Sequence, residues 1–314
     1  MEYFRFRSGY AKYHDLAMLV GFVGRVDPFE PPTKVVVFDE PATAGNVWGL
    51  ENSEHVFVDV TTFKTPDMPR AVFVCLSEEG IVWFQNEEGT VEDIAEAGLW
   101  KETSENYGYL SRIAQIGEYL YAVGYKGQVY RRVKAGTWEH FDQELLDPED
   151  DKFDIVDLAI SSDGIFYAVE ANGRIFARRE DTVWTPIINP AKEQLRSVTA
   201  DKDGTVWICG RNGTLLHGSA EQGFVNVSGV DDNAKFLSVA LFDGVVWVCT
   251  AAKIYTYDGE KITLVETGLT PPLRSANRLQ AVDGVLWSFG VDDLARYDGK
   301  VWQRFVCPAT EPLV

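Results

Sequence analysis

The sequence predicts an all-β protein built from repeated four-stranded sheets, and three observations carry that reading. First, a short motif recurs at a fixed interval. Asp203-Gly204-Thr205-Val206-Trp207, Asp243-Gly244-Val245-Val246-Trp247 and Asp283-Gly284-Val285-Leu286-Trp287 start 40 residues apart. Second, each motif is a turn that opens a short apolar strand, so strands rather than helices carry the period. Third, one aromatic or apolar column runs through the whole chain: Leu19, Phe73, Tyr121, Tyr167, Trp207, Trp247 and Trp287. A period of this size carried by strands is the signature of a β-propeller blade. Seven column positions predict a single seven-bladed propeller over residues 1–314, with an eighth, degenerate blade as the alternative. The repeats are regular from about residue 110 to 306 and irregular over 1–109.

The elements follow in order. Tyr3 to Arg7 fits the innermost strand of blade one. The long early gap holds Lys34 to Phe38, Val47 to Leu50 and His55 to Thr61. Gly45-Asn46-Val47-Trp48 imitates the repeat anchor at an interval that fits no four-stranded blade, which predicts an elaborated blade two. Gly89 to Ile94 and Gly136 to Phe141 match each other as outermost strands. The fifth repeat gives all four strands: Leu195 to Ala200, Thr205 to Cys209, Thr214 to His217 and Gly223 to Val227. Between its second and third strands stands Asn212-Gly213, the pair favoured in a tight hairpin because both residues tolerate positive φ. The last repeat is complete through Lys300 to Val306, so the ring needs no borrowed N-terminal strand. Two residues beyond each column position stand Gly21, Cys75, Val123, Val169, Cys209, Cys249 and Phe289, on the same strand face. Cys75, Cys209 and Cys249 are therefore expected to be small buried residues rather than disulfide or metal partners.

Asp203-Gly204-Thr205-Val206-Trp207-Ile208-Cys209-Gly210-Arg211-Asn212-Gly213 resembles the propeller repeats of two-component sensor proteins. So does Asp283 to Trp287 followed by Ala295-Arg296-Tyr297-Asp298-Gly299-Lys300-Val301-Trp302. Both are also similar to BNR-type and photosystem-assembly-factor propellers, over roughly residues 110 to 306. The resemblance implies the scaffold and leaves the activity open.

With 29 basic against 48 acidic residues the formal charge is −19. That opposes nucleic acid and anionic membranes, where phosphate neutralisation by Lys and Arg supplies affinity. It favours a basic protein partner. Met1 to Arg7 has no signal-peptide layout, and the apolar run that starts at Ala17 is too short to span a bilayer, so a cytoplasmic location is expected. His14, His55, His140 and His217 lack metal-ligand spacing, and neither a phosphate loop nor a nucleophile elbow appears. No cofactor, metal or catalytic residue is predicted.

Function is expected where the repeat is broken, because insertions map to loops on a rigid frame. Two long crossovers follow adjacent outermost strands. The first carries Glu96, Trp100, Glu102, Glu105 and Tyr107; the second carries Asp142, Glu144, Asp147, Glu149, Asp150 and Asp151. Equivalent places in neighbouring blades put them on one face, as an acidic wall with aromatic anchors for a basic protein. The expected function is a non-catalytic interaction module, of the immunity-protein or assembly-factor kind. The alternative is a propeller enzyme or small-ligand or sugar binder of hydrolase, lyase or lectin type. It would use the channel mouth, where Arg112, Asp157, Arg196, Ser238, Asn277 and Arg278 begin innermost strands.

Overall fold

The computed structural model describes residues 3–23, 33–41, 47–66, 68–227 and 233–310. They form seven four-stranded antiparallel sheets, each a simple meander in which sequence neighbours pair. The seven innermost strands are Phe4–Ala11, Phe57–Thr65, Leu110–Ile116, Ile155–Ile160, Leu195–Ala200, Ser238–Phe242 and Arg278–Val282. The protein is a seven-bladed propeller. Among the described residues no helix is long and apolar enough to cross a membrane.

Every residue of the predicted column lies on the second strand of its own blade, and all seven are buried. The column two residues further on is buried as well. The physical cause is the period-2 pleat, which sends both columns into the gap between blades. There Tyr121 and Val123 of blade three meet Ile155, Leu158 and Phe166 of blade four. Trp207 and Cys209 of blade five likewise meet Phe236, Val239 and Val246 of blade six. Cys75, Cys209, Cys249 and Cys307 are buried free thiols. Asn212 and Gly213 adopt φ of 54° and 68°, as the Asn-Gly hairpin requires.

The early chain departs from expectation in one respect. Thr33–Asp39 and Trp48–Ser53 are the third and outermost strands of blade one, not parts of an elaborated blade two. Blade two runs from Phe57–Thr65 to Val91–Asp93 with ordinary proportions. Trp48 misleads because it does pack like an anchor, 5.0 Å from the Phe38 ring, but from the outermost strand. Gly45 and Asn46 of that imitation motif lie outside the described residues.

Blades one and seven share no strand, so side chains and short backbone contacts must close the ring. Phe4 N donates to Ala309 O at 2.8 Å, and Phe6 N to Val291 O at 2.6 Å. The Gln280 carboxamide spans the seam and satisfies both polar groups of Ala11, at 2.7 and 2.9 Å. One apolar cluster then joins Phe4, Phe6, Leu19 and Phe38 to Trp287, Phe289 and Leu294. Gly9 permits this approach, because a Cβ there would lie 2.3 Å from the Phe289 ring.

Candidate functional site

Both crossovers lead from an outermost strand to the start of the next innermost strand, and each is held by its own side chains. In the first, Gly98 N donates to Gly108 O at 3.2 Å and pinches the loop shut. Glu79, on the hairpin beneath, accepts Leu99 N and Trp100 N at 2.8 and 3.1 Å through one carboxylate oxygen. Trp100 is left 81% exposed, with its indole N–H on Tyr109 Oη at 3.0 Å. Glu102 and Glu105 face solvent.

The second crossover hangs on two buried apolar residues, Leu145 and Phe153. Between them the acidic side chains cap the loop's own amides. Asp147 Oδ1 accepts Glu149 N at 3.1 Å, and Asp150 Oδ1 accepts Lys152 N at 3.0 Å. Asp150 also pairs with Arg174 at 3.0 Å, and Asp151 with Lys126 at 3.2 Å. Glu144, Asp147, Glu149 and Asp151 remain exposed.

Asp142 is not part of that exposed set. It is only 4% exposed, because its Oδ2 accepts Val129 N at 3.1 Å and lies 3.0 Å from His140 Nδ1. The other ring nitrogen of His140 lies 2.5 Å from Glu96 Oε2. His140 therefore joins the first crossover to the second. The hydrogen bond to Asp142 outweighs burial and, with Glu96, raises the imidazole pKa to about 9, so the join is an imidazolium between two carboxylates. Tyr107 packs edge-on against the same ring at 6.4 Å. Nothing in the sequence singled out His140, since its partners come from separate blades.

At the channel the structure brings together Arg112, Asp157 and Arg278, and adds Asp59, which the weak repeat in blade two concealed. Arg278 Nη1 donates to Asp59 Oδ1 at 2.8 Å and to Ser8 Oγ at 3.2 Å. Arg112 Nε lies 3.0 Å from Asp157 Oδ1 and 3.8 Å from Asp59 Oδ2. Both carboxylates also accept a backbone amide from the next blade, Ile113 N on Asp59 and Val198 N on Asp157, each at 3.0 Å. Two cations and two anions thus form a balanced layer that bridges the blades. Burial opposes the Arg112 charge, but Asp157 and Asp59 outweigh it and hold the group above its usual pKa. Burial, with Arg112 as neighbour, moves Arg278 the other way. Arg196 stands outside the layer, where its charge acts on Asp154. Burial and the nearby Glu170 raise the Asp154 carboxyl to about 7 against that charge, and its Oδ1 has no hydrogen-bond partner among the described residues.

No protein-family model matches this chain. Over 199 residues it is 32% identical to a protein named "Immune protein Tsi7" from Pseudomonas aeruginosa strain PAO1, a match that covers 63% of this chain. The chain spans 64% of that curated relative's length. Among solved structures, it superposes on catalytically inactive virginiamycin B lyase from Staphylococcus aureus with quinupristin. The TM-score is 0.69 at 9% identity, covering 98% of this chain and 96% of that one. YCF48 bound to D1 peptide gives a TM-score of 0.63 at 14% identity, covering 97% and 92%. At these identities the solved structures establish the propeller fold alone. That is the scaffold which the resemblance to photosystem-assembly-factor propellers implied.

Proposed function

We propose that this protein is a non-catalytic immunity protein that neutralises a protein toxin by binding it. The observation that carries the reading is the 32% identity to a protein named as an immune protein. The toxin is a basic protein, and it docks on the face that carries the two acidic crossovers. Glu102, Glu105, Glu144, Asp147, Glu149 and Asp151 present unburied carboxylates there, beside the exposed Trp100. Carboxylates at the rim set the rate and salt dependence of encounter, while an exposed Trp supplies the kind of anchor that dominates binding energy. A net charge of −19 adds long-range attraction for such a partner. The protein acts in the cytoplasm of the cell it protects.

The test is functional rescue with a binding readout. The full chain is used to capture, at low salt, a protein encoded beside its gene, and that protein is then expressed alone and together with the chain. Growth arrest by the captured protein alone, relieved by co-expression, supports the proposal. A captured protein that is harmless when expressed alone removes the immunity reading.

A further inference from the structure

The central channel has a chemistry that the crossover face does not use. Beyond the Arg112–Asp157–Asp59–Arg278 layer it widens into a cavity of about 360 Å³, lined by Ser197, Thr199, Ser238 and Gln280. The lining extends to Asp201 and Lys202, which follow the innermost strand Leu195–Ala200. Crossovers enter an innermost strand at its start, so this cavity opens on the opposite face. Its size is near the lower end of the about 300–1,000 Å³ typical of small-molecule sites.

The polar groups around it are unevenly committed. The acceptors of the layer are spent. Asp157 takes Leu158 N, Val198 N and the Arg112 ion pair; Asp59 takes Ser8 Oγ, Ile113 N and Arg278. At the mouth Asp201 takes Lys202 N at 2.6 Å, and the Gln280 carboxamide is bound to Ala11. The donors are not spent. Ser238 Oγ accepts Leu279 N at 3.1 Å and Ser197 Oγ accepts Val239 N at 3.5 Å, so each hydroxyl keeps its hydrogen to give. Arg278 uses only Nη1, and Arg112 Nε, though 3.0 Å from Asp157 Oδ1, makes no aligned hydrogen bond, which leaves the Arg112 N–H groups and the remaining ones of Arg278 without a protein acceptor among the described residues. Donors that converge on a cavity call for a ligand made of acceptors.

Charge narrows the class. The layer holds two cations and two anions, and Asp201 offsets Lys202, so the site is neutral overall: hydrogen bonds from the uncommitted guanidinium groups can hold one negative charge, and a second would only add repulsion. A planar monoanion matches the guanidinium fork with one unit of charge. We propose that the channel is a binding site for a small monocarboxylate, held by the guanidinium groups of Arg112 and Arg278 and the hydroxyls of Ser197 and Ser238. A layer that served only to plug the ring would bind nothing.

Titration calorimetry and thermal denaturation of the full chain test this with acetate, benzoate and N-acetylglycine at constant ionic strength. Sodium chloride, methylammonium chloride and inorganic phosphate serve as comparisons. The expected result is one saturable site for at least one monocarboxylate, with a rise in Tm that chloride and methylammonium do not give. Lys202→Glu, at an exposed position that leaves the fold intact, weakens that binding by about threefold or more through charge at the mouth. Ala281→Trp, on the exposed cavity wall, abolishes it while the unliganded Tm holds. Absence of a saturable site for all three acids overturns the proposal. So does binding that persists unchanged in both variants, or phosphate binding as tight as that of the carboxylates.

Discussion

His140 brings its Nε2 within 2.5 Å of Glu96 Oε2 while its Nδ1 lies 3.0 Å from the buried Asp142, so one imidazolium couples two crossovers from adjacent blades. Because its pKa in the fold is near 9, above the unfolded value of about 6.5, the stabilisation is fully present below pH 6.5 and is lost as pH rises toward 9. After allowance for solvent screening of a half-exposed group, the loss is about 1–2 kcal/mol. Urea denaturation at pH 6, 7.5 and 9 should show this slope, and His140→Gln should flatten it.

Asp154 gives the same sign of pH dependence in a lower window, although here it is the neutral form that the fold favours. Burial and Glu170 hold its carboxyl near pKa 7, above the unfolded value of about 3.9, so folding favours the protonated form and stability falls from pH 4 to 7. Asp154→Asn keeps the shape and removes the charge. The substitution should stabilise the protein by about 1–3 kcal/mol at pH 8 and hardly at all at pH 4, as read by chemical denaturation at the two pH values.

Asp59 makes the channel layer a bridge between blades one, two, three and seven. Asp59→Ala removes the acceptor of Arg278 Nη1, Ser8 Oγ and Ile113 N together. Leaving a buried guanidinium without its carboxylate costs about 3–5 kcal/mol. A loss below about 1 kcal/mol in urea denaturation would show that water substitutes for the carboxylate.

Gly9→Ala tests the seam. Its new Cβ would meet the Phe289 ring at 2.3 Å, an overpacking cost of about 1–3 kcal/mol. Phe289→Leu in the same chain should recover part of that stability, and a thermal melt of both variants reads the coupling.

On the crossover face, the combined reversal Glu144→Lys, Asp147→Lys, Glu149→Lys and Asp151→Lys should slow toxin association by about tenfold or more at low salt and much less at high salt. Trp100→Ala should cost about 2 kcal/mol of binding, chiefly as faster dissociation. Trp100→Ala should keep the parent Tm, and the reversal should stay folded while losing about 1 kcal/mol with the Asp147 cap on Glu149 N and the Asp151–Lys126 pair. Stopped-flow or surface-based kinetics against the rescued toxin, with a melt of each variant, decides both.

The sequence by itself determined the propeller and its column of inward-packing residues, with seven blades favoured over eight; the structure fixed seven. Period-2 alternation and a recurring Asp-Gly turn are local signals; the apolar column persists in blade one, where the Asp-Gly turn is missing and Trp48 misleads. It also located the two acidic crossovers, since an insertion is visible against a repeat. Only the tertiary structure decided which of their acids face outward. Asp142 and Glu149 look alike in the chain, yet one is buried against Val129 N and His140 while the other is left in solvent. The channel layer was half legible for the same reason. Arg112, Asp157 and Arg278 stand at matching strand positions, whereas Asp59 sits in a repeat too weak to align. What pairs with what across a closed ring depends on residues far apart in the chain, such as Arg278 with Asp59 at 219 positions and with Ser8 at 270, and no local pattern records that distance.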